Sequence, residues 1–216
     1  MKRSSKIRVY LADDHMLFRK GLIRLIQSFK RVGEIRETSN GKELIRLVNE
    51  SPPDVVLVDL HMPVMGGEEV CEWIEKSHPD VKVVMLTMED AEEYIQQLIS
   101  LGAHAYLSKG APPEEVERAI YAVVDKDFYH NDLVMRALRN FTIKTTRIRR
   151  DATQFTRREL EIIRLICEEF TMKEIASRLD LSESTVQNQR AAIMDKMSVK
   201  NTAGLVKYAF TKGLIQ

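Results

Sequence analysis

Four apolar segments of the chain each end at residues that could bind a metal ion or a phosphoryl group. The segments and the residues that follow them are Ile7–Ala12 with Asp13-Asp14, residues 55–58 with Asp59, residues 81–86 with Thr87, and residues 103–107 with Lys109. Side chains so distant in sequence meet only if the segments are parallel strands of one sheet, whose carboxyl ends form a ligand-binding crevice. The sequence therefore predicts a site of three carboxylates, a hydroxyl and an ammonium.

This set of groups suits the transfer of a phosphoryl group to a carboxylate. Both reactants are negatively charged, and a divalent cation between them removes the repulsion. Mg²⁺ takes hard oxygen ligands and keeps several waters, so the oxygens of Asp13, Asp14 and Asp59 suffice to hold it. We expect Asp59 also to accept the phosphoryl group, with Lys109 pairing with one of its oxygens and Thr87 donating a hydrogen bond to another.

Alternating strand and helix patterns over residues 1–125 indicate the elements that must position these groups. A more polar strand, over residues 34–38, is expected near an edge of the sheet. A fourth helix that contains Tyr94 should end at Gly102, and Pro112-Pro113 should begin a fifth. Five strands and five helices predict an α/β doubly wound, flavodoxin-like fold with a five-stranded parallel sheet.

Charge is distributed unevenly along the chain. Residues 1–125 carry a formal net charge of −5, residues 126–152 of +4 and residues 153–216 of +2, which together give the net +1. This asymmetry favours two modules with different partners. We predict domains over residues 1–125 and 153–216, joined by a linker over 126–152 in which residues 144–150 are mobile.

The composition is typical of an ordinary globular protein, with 44% hydrophobic and 30% charged residues. No apolar run approaches the ~20 residues that cross a bilayer, and the initial MKRSSK lacks the apolar core of a signal peptide. Cys71 and Cys167 lie in apolar helical patterns, which favours buried, reduced thiols. We therefore expect a cytoplasmic protein with no membrane partner.

Residues 153–216 contain helical patterns without strands and predict a second, smaller all-α domain. Thr156-x-x-Glu159 has the spacing of a capping box at the start of its first helix. A short helix over residues 172–179 is followed by a turn, and Ser182 or Ser184 can cap the next helix. Two helices joined by a short turn, the second rich in polar side chains, are typical of a helix-turn-helix.

The front half resembles the receiver domain of bacterial two-component response regulators of the NarL/FixJ family. The resemblance rests on four motifs, Ala12-Asp13-Asp14-His15, Asp59-Leu60-His61-Met62-Pro63 with Met65-Gly66-Gly67, Leu86-Thr87, and Tyr106-Leu107-Ser108-Lys109. It implies that Asp59 accepts a phosphoryl group from a phosphohistidine on a sensor histidine kinase.

The same resemblance implies roles for the neighbouring residues. Asp14 would bind Mg²⁺ directly and Asp13 mostly through water, and the backbone carbonyl of His61 would be a further ligand. Thr87 and Tyr106 would be the pair that moves on activation.

The rear half resembles the LuxR-type DNA-binding domain that this family carries at its C-terminus. The matching residues are Thr156-x-x-Glu159, Lys173-Glu174-Ile175-Ala176, Leu181-Ser182, Ser184-Thr185-Val186, Arg190 and Lys196-Met197. Gln187 and Gln189 stand where members commonly have Lys and His. Fewer charges lower the sequence-independent part of DNA affinity, whereas Gln and Asn can pair with adenine in the major groove.

We therefore predict that Gln187, Asn188 and Arg190 face the bases of double-stranded DNA. Expected contacts with the DNA backbone are Lys173, Thr185, Gln189 and Lys196. For any single one of these polar residues, a solvent-facing position is the alternative.

The last predicted helix, over residues 202–212, has more apolar residues than one buried stripe requires. Packing within the domain explains some of them, and pairing with a second copy explains the surplus, as in the family. Ala203, Val206 and Phe210 are the predicted dimer contacts. Two copies would then bind half-sites about one helical turn of DNA apart.

These observations predict a response regulator rather than an enzyme, with Mg²⁺ as cofactor. Phosphorylation of Asp59 would lead to DNA binding as a homodimer and to the regulation of transcription. One alternative is a Mg²⁺-dependent aspartyl-phosphate hydrolase, but such enzymes need a second Asp two residues after the nucleophile, where this chain has His61. A constitutive DNA-binding protein is the other alternative, and the intact acidic cluster argues against it.

Overall fold

The computed structural model describes residues 6–88, 95, 98–99, 101–136 and 155–215. Its strands are β1 (Ile7–Ala12), β2 (Val32–Thr38), β3 (Val55–Asp59), β4 (Lys82–Thr87) and β5 (Ala105–Ser108). They form one parallel sheet in the order β2-β1-β3-β4-β5. The predicted five-stranded, doubly wound sheet is therefore confirmed, and the more polar strand β2 lies at its edge.

Four helices of this sheet domain are α1 (Met16–Gln27), α2 (Gly41–Glu50), α3 (Gly67–Ser77) and α4 (Pro113–Lys126). Asn40 caps α2, because its side chain accepts a hydrogen bond from the Glu43 N–H at 3.0 Å. The helix expected around Tyr94 falls mostly outside the described residues, as do residues 144–150 of the predicted linker. Gly102, its expected end, has the positive φ of 109° that glycine adopts without strain.

The pleat of the strands divides the core into two apolar layers, one on each face of the sheet. Val56 and Val58 of β3 contribute to one layer, and Val55 and Leu57 to the other. All residues of β3 are buried, as expected of a central strand covered on both faces. Helices on both faces therefore leave the carboxyl edge of the sheet as the place where polar side chains converge.

The helical domain consists of α5 (Arg157–Cys167), α6 (Met172–Arg178), α7 (Glu183–Met197) and α8 (Thr202–Thr211) within residues 155–215. Thr156 and Glu159 form the predicted capping box at α5. Ser182, one of the two predicted caps, accepts a hydrogen bond from the Thr185 N–H at the start of α7. No helix within the described ranges is long and apolar enough to cross a bilayer.

The segment after α4 packs on the sheet domain. The Tyr129 N–H donates to the carbonyl of His104 at 3.0 Å, and Phe128 and Val134 are buried. Both belong to an apolar cluster that also includes the core of the helical domain. The first ten or so residues of the predicted linker are thus part of the packed structure, while the domain boundaries themselves stay a prediction.

Gly67 allows the start of α3 to approach the strand that carries Asp59. A Cβ at this position would lie 2.6 Å from the Asp59 carbonyl oxygen and 2.6 Å from the Met85 Cε. We expect Gly67→Ala to lower the free energy of unfolding by about 1–3 kcal/mol, the usual cost of overpacking. Gly21→Ala is the control, since nothing lies within 4 Å of its Cβ position. Equal urea-unfolding midpoints for the two variants would contradict this packing.

His104 makes the stability of the sheet domain depend on pH. Its ring is 2% exposed, and Nδ1 accepts a hydrogen bond from the Val83 N–H at 3.2 Å. Burial lowers the pKa of His104 from 6.5 to about 4, against the opposing effect of Asp127. The unfolded chain therefore binds more protons between these values, so stability falls as the pH drops through that window.

We expect a loss of about 2 kcal/mol in the free energy of unfolding between pH 7 and pH 5 from His104 alone. Urea unfolding at the two pH values measures this loss. His104→Asn keeps a hydrogen-bond acceptor near the Val83 N–H but cannot take up the proton. Equal losses in the wild type and His104→Asn would show that His104 does not cause the effect.

Candidate functional site

The ends of four strands bring the predicted chemical groups to one edge of the sheet. Hydrogen bonds extend the sheet past its strands, with the Lys109 N–H donating to Thr87 O at 2.7 Å and the Leu60 N–H to Leu86 O at 2.9 Å. This alignment directs Asp59, at the end of β3, and Lys109, just after β5, into the same crevice.

An ammonium joins two carboxylates at the centre of this crevice. Lys109 Nζ lies 2.8 Å from Asp13 Oδ2 and 2.9 Å from Asp59 Oδ2. The side chains are 6%, 0% and 4% exposed respectively. The ring of Phe18 lies 5.0 Å from the same ammonium and covers it from the side of α1. Three charged groups are thus held together with little access for water.

Burial and pairing set the protonation of this crevice. Burial raises the pKa of Asp59, with Lys109 opposing the rise and Asp13 adding to it. Burial alone would lower the pKa of Lys109, but the contacts with Asp13 and Asp59 outweigh burial and raise it. Lys109 is therefore a cation at neutral pH, and two carboxylates share its charge.

The acidic side of the crevice has the donor set of a small divalent cation. Asp13, Asp14, His15 and Asp59 each offer one ligand atom, and these atoms lie within 4.8 Å of one another. Asp13 is buried, and its Oδ2 lies 2.8 Å from the Lys109 ammonium. The carboxylate oxygens of this group fit Mg²⁺, which prefers hard oxygen ligands.

The sequence interpretation did not include His15 and Arg19 in this site. His15 Nδ1 lies 2.8 Å from Asp14 Oδ1, and the His15 N–H donates to Asp13 Oδ1 at 2.8 Å. Arg19, one turn into α1, donates to the carbonyl oxygen of Asp13. These contacts fix the loop that carries the carboxylates. Only the position of His15 directly after Asp13-Asp14 could have indicated its role.

The two predicted switch residues lie on adjacent strands beside the crevice. Thr87 ends β4 and Tyr106 belongs to β5, and both side chains are 1% exposed. The Tyr106 carbonyl accepts a hydrogen bond from Asn131 in the segment after α4, at 3.4 Å. The N–H of His61 donates to the Asp59 carboxylate, while the metal-ligand role of its carbonyl stays a prediction.

The residues predicted to contact DNA fall into two groups. Gln187 and Asn188 on α7 and Lys173 on α6 are exposed, whereas Thr185, Gln189 and Arg190 are partly buried. The amine of Lys196 is occupied within the helical domain, at 2.6 Å from Glu159 Oε1. The DNA contacts of all seven residues stay a prediction.

Arg190 contacts the sheet domain. Its Nη1 lies 3.5 Å from Asp127 Oδ2, just past the end of α4. On α8, Ala203 and Val206 are 0% and 1% exposed, and Phe210 is partly buried. In this arrangement Ala203 and Val206 are not accessible to a second copy. Their role as dimer contacts, together with that of Phe210, stays a prediction.

Two protein-family models match the chain. Residues 9–121 match the response regulator receiver domain, and residues 153–209 match the bacterial regulatory proteins of the luxR family. The first match spans the crevice with Asp13, Asp59 and Lys109, and the second spans α5 to α7 and most of α8. The fold and the order of the domains agree with these matches.

Relatives match the chain over nearly its whole length. Response regulator UvrY of Escherichia coli is 32% identical over 208 residues, which are 96% of this chain and 95% of that protein. The crystal structure of the response regulator ChrA of a heme-sensing two-component system is 28% identical and covers 98% of this chain and 100% of that one, with a TM-score of 0.53. The response regulator RcsB in its complex with DNA shares the fold at 23% identity, with a TM-score of 0.58. The match covers 95% of this chain and 98% of that one.

The family consists of regulatory proteins rather than enzymes, as predicted. The chain belongs to the NarL/FixJ-type response regulators, with a receiver domain followed by a LuxR-type helix-turn-helix domain.

Proposed function

We propose that this response regulator is phosphorylated on Asp59 and that phosphorylation controls its binding to DNA as a dimer, and thereby transcription. The observation that carries the proposal is the ammonium of Lys109 between Asp13 and Asp59, at 2.8 and 2.9 Å. A phosphoryl group attached to Asp59 would extend toward this cation, which pairs with its oxygens.

The acidic residues support Mg²⁺ as the cofactor of this step. Asp13, Asp14 and Asp59 would hold it, with the backbone carbonyl of His61 as a further ligand. When bound, the ion offsets the repulsion between the carboxylate and the incoming phosphoryl group. His15 and Arg19 hold the loop of Asp13 in position and so reduce the rearrangement that binding requires.

Phosphorylation would redistribute the contacts of Lys109 and Thr87. The new phosphoryl oxygens compete with Asp13 for the Lys109 ammonium, and the Thr87 hydroxyl can donate to one of them. Tyr106 lies on β5, next to the strand of Thr87, and is buried. A shift of Thr87 toward the phosphoryl group would alter the packing of Tyr106, as expected of a switch with two states.

An apolar rim supports a protein as the phosphoryl donor. Among the described residues, the exposed large hydrophobic side chains are Met16, Leu17, Val64 and Met88, at 67% to 88% exposure. All four lie in the loops or helix start at the carboxyl edge of the sheet, around Asp59. Exposed apolar residues grouped around a charged centre are typical of a protein-docking site, which fits the phosphohistidine domain of a sensor histidine kinase.

Double-stranded DNA is the proposed partner of α7. Gln187, Asn188 and Arg190 would face the bases from the major groove, as the second helix of a helix-turn-helix does. Lys173, Thr185, Gln189 and Lys196 would contact the backbone, and Ala203, Val206 and Phe210 of α8 would pair two copies. Arg190, Ala203 and Val206 become available for these roles only after a change in the arrangement described above.

Labelling by a small phosphodonor tests the proposed acceptor. With acetyl phosphate and Mg²⁺, we expect the intact mass of the wild type to increase by one phosphoryl group. Asp59→Asn should take up none, because an amide is not a nucleophile here, whereas Asp80→Asn, an exposed position at the opposite edge of the sheet, should be labelled like the wild type. Full labelling of Asp59→Asn would refute the assignment, and continuous release of phosphate by the wild type would favour a hydrolase.

The effect of Gln187→Ala on DNA affinity tests base recognition. We expect this variant to lose about 1–3 kcal/mol of binding free energy on an operator selected from genomic fragments, and little on random DNA. Lys173→Ala is the control, since loss of a backbone contact should weaken both complexes alike. Anisotropy titrations measure both affinities, and equal losses on the two DNAs for Gln187→Ala would contradict base recognition.

A further inference from the structure

Asp127 is a charged residue at the contact between the two domains, where Lys126 and His130 also pair with Glu169 of the helical domain. It follows α4 and has a positive φ of 71°, a conformation that few residues other than Gly, Asn and Asp adopt. On the side of the sheet domain it pairs with Lys82, the first residue of β4, and His104 Nε2 lies 3.9 Å from its Oδ1.

Asp127 makes two contacts with the helical domain, both through its Oδ2 atom. The Thr202 hydroxyl donates to Asp127 Oδ2 at 2.8 Å, and Arg190 Nη1 lies 3.5 Å from the same atom. Arg190 also donates to the Thr202 hydroxyl oxygen at 3.2 Å, which closes a triangle. Arg190 belongs to α7, and Thr202 is the first residue of α8.

The surroundings make this triangle stronger than a surface contact. The side chains of Arg190 and Asp127 are 26% and 16% exposed, and Thr202 is 2% exposed. Beside it, the Asn201 side chain donates to the carbonyl of Gly102 at 3.2 Å, in a buried position. Charges that water cannot fully screen interact more strongly.

The face of α7 that would enter DNA borders the same interface. Gln187 and Arg190 line a cleft of about 1140 Å³ together with Lys82 and Asp127 of the sheet domain. A duplex encloses the recognition helix within its major groove. The sheet domain and DNA therefore compete for this face, and Asp127 and DNA compete for one guanidinium.

We propose that Asp127 is a latch that withholds Arg190 from DNA and immobilises the start of α8 through Thr202. This inference deepens the proposed function, since it assumes that α7 is the helix that binds DNA. A single carboxylate then restrains both the DNA-binding helix and the helix proposed to pair two copies, so release of the latch makes both available together.

Asp127→Asn removes the charge of the latch and keeps its shape, because Asn accepts a positive φ as readily as Asp. The matched control is Asp125→Asn, which changes the net charge equally in the same cleft but affects a pair with Arg31 inside the sheet domain. Thr202→Val breaks the triangle without any change in charge. All three are made in the full-length, unphosphorylated chain.

Two measurements are made on each variant. Small-angle X-ray scattering reports the radius of gyration, and fluorescence anisotropy with a labelled random-sequence duplex at low salt reports DNA affinity. We expect Asp127→Asn and Thr202→Val to expand and to bind the duplex at least about fivefold more tightly than the wild type, the lower end of the usual coupling between sites. Asp125→Asn should match the wild type in both.

A compact Asp127→Asn would overturn the latch, whatever its DNA affinity. An equal gain in affinity for Asp125→Asn would also overturn it, because the gain would then follow from net charge alone. Expansion of Asp127→Asn with no DNA binding by any of the proteins would refute the proposed DNA-binding function, and with it the latch's control of that function, while the domain contact itself would stand.

Discussion

The crevice at the carboxyl edge of the sheet is held together by the ammonium of Lys109, which lies between the carboxylates of Asp13 and Asp59. Without a cation, two buried carboxylates at adjacent strand ends would repel each other and carry a large desolvation cost. Lys109 offsets that cost only if β1, β3 and β5 end at the same level, which parallel pairing in this order ensures. The crevice thus depends on the register of the sheet, and any group that draws Lys109 away from Asp13 changes the balance of charge in the crevice.

The crevice and the domain contact lie at opposite ends of the same two strands. β4 begins at Lys82 and ends at Thr87, and β5 follows His104 and leads to Lys109. Lys82 and His104 lie next to Asp127, whereas Lys109 pairs with Asp59 and Thr87 ends the strand that neighbours β3. A rearrangement of β4 and β5 on phosphorylation would therefore reach Asp127 through contiguous buried structure, which is the physical condition for coupling between the two sites.

Much of this molecule could be predicted from local signals. Apolar runs that end in Asp, Thr or Lys indicated the strand ends, and Thr156 and Ser182 indicated helix starts, because a helix cap depends on residues within one turn. Asp127 carried no such signal, since its partners Lys82, Arg190 and Thr202 are distant in sequence and meet only through tertiary packing. The sequence could not predict that Ala203 and Val206 are buried within this chain. The surplus of apolar residues on α8 is the same whether a second copy or the chain's own packing covers them.

The location of the phosphoryl group after labelling tests whether Asp59 is the phosphoryl acceptor. Borohydride reduces the acyl phosphate of an aspartate to the alcohol of homoserine, which leaves a permanent mark at the acceptor that peptide mass spectrometry can locate. After treatment with acetyl phosphate and Mg²⁺, we expect homoserine at position 59. Homoserine at position 13 or 14, or an unmodified peptide at every acidic residue of the crevice, would contradict it.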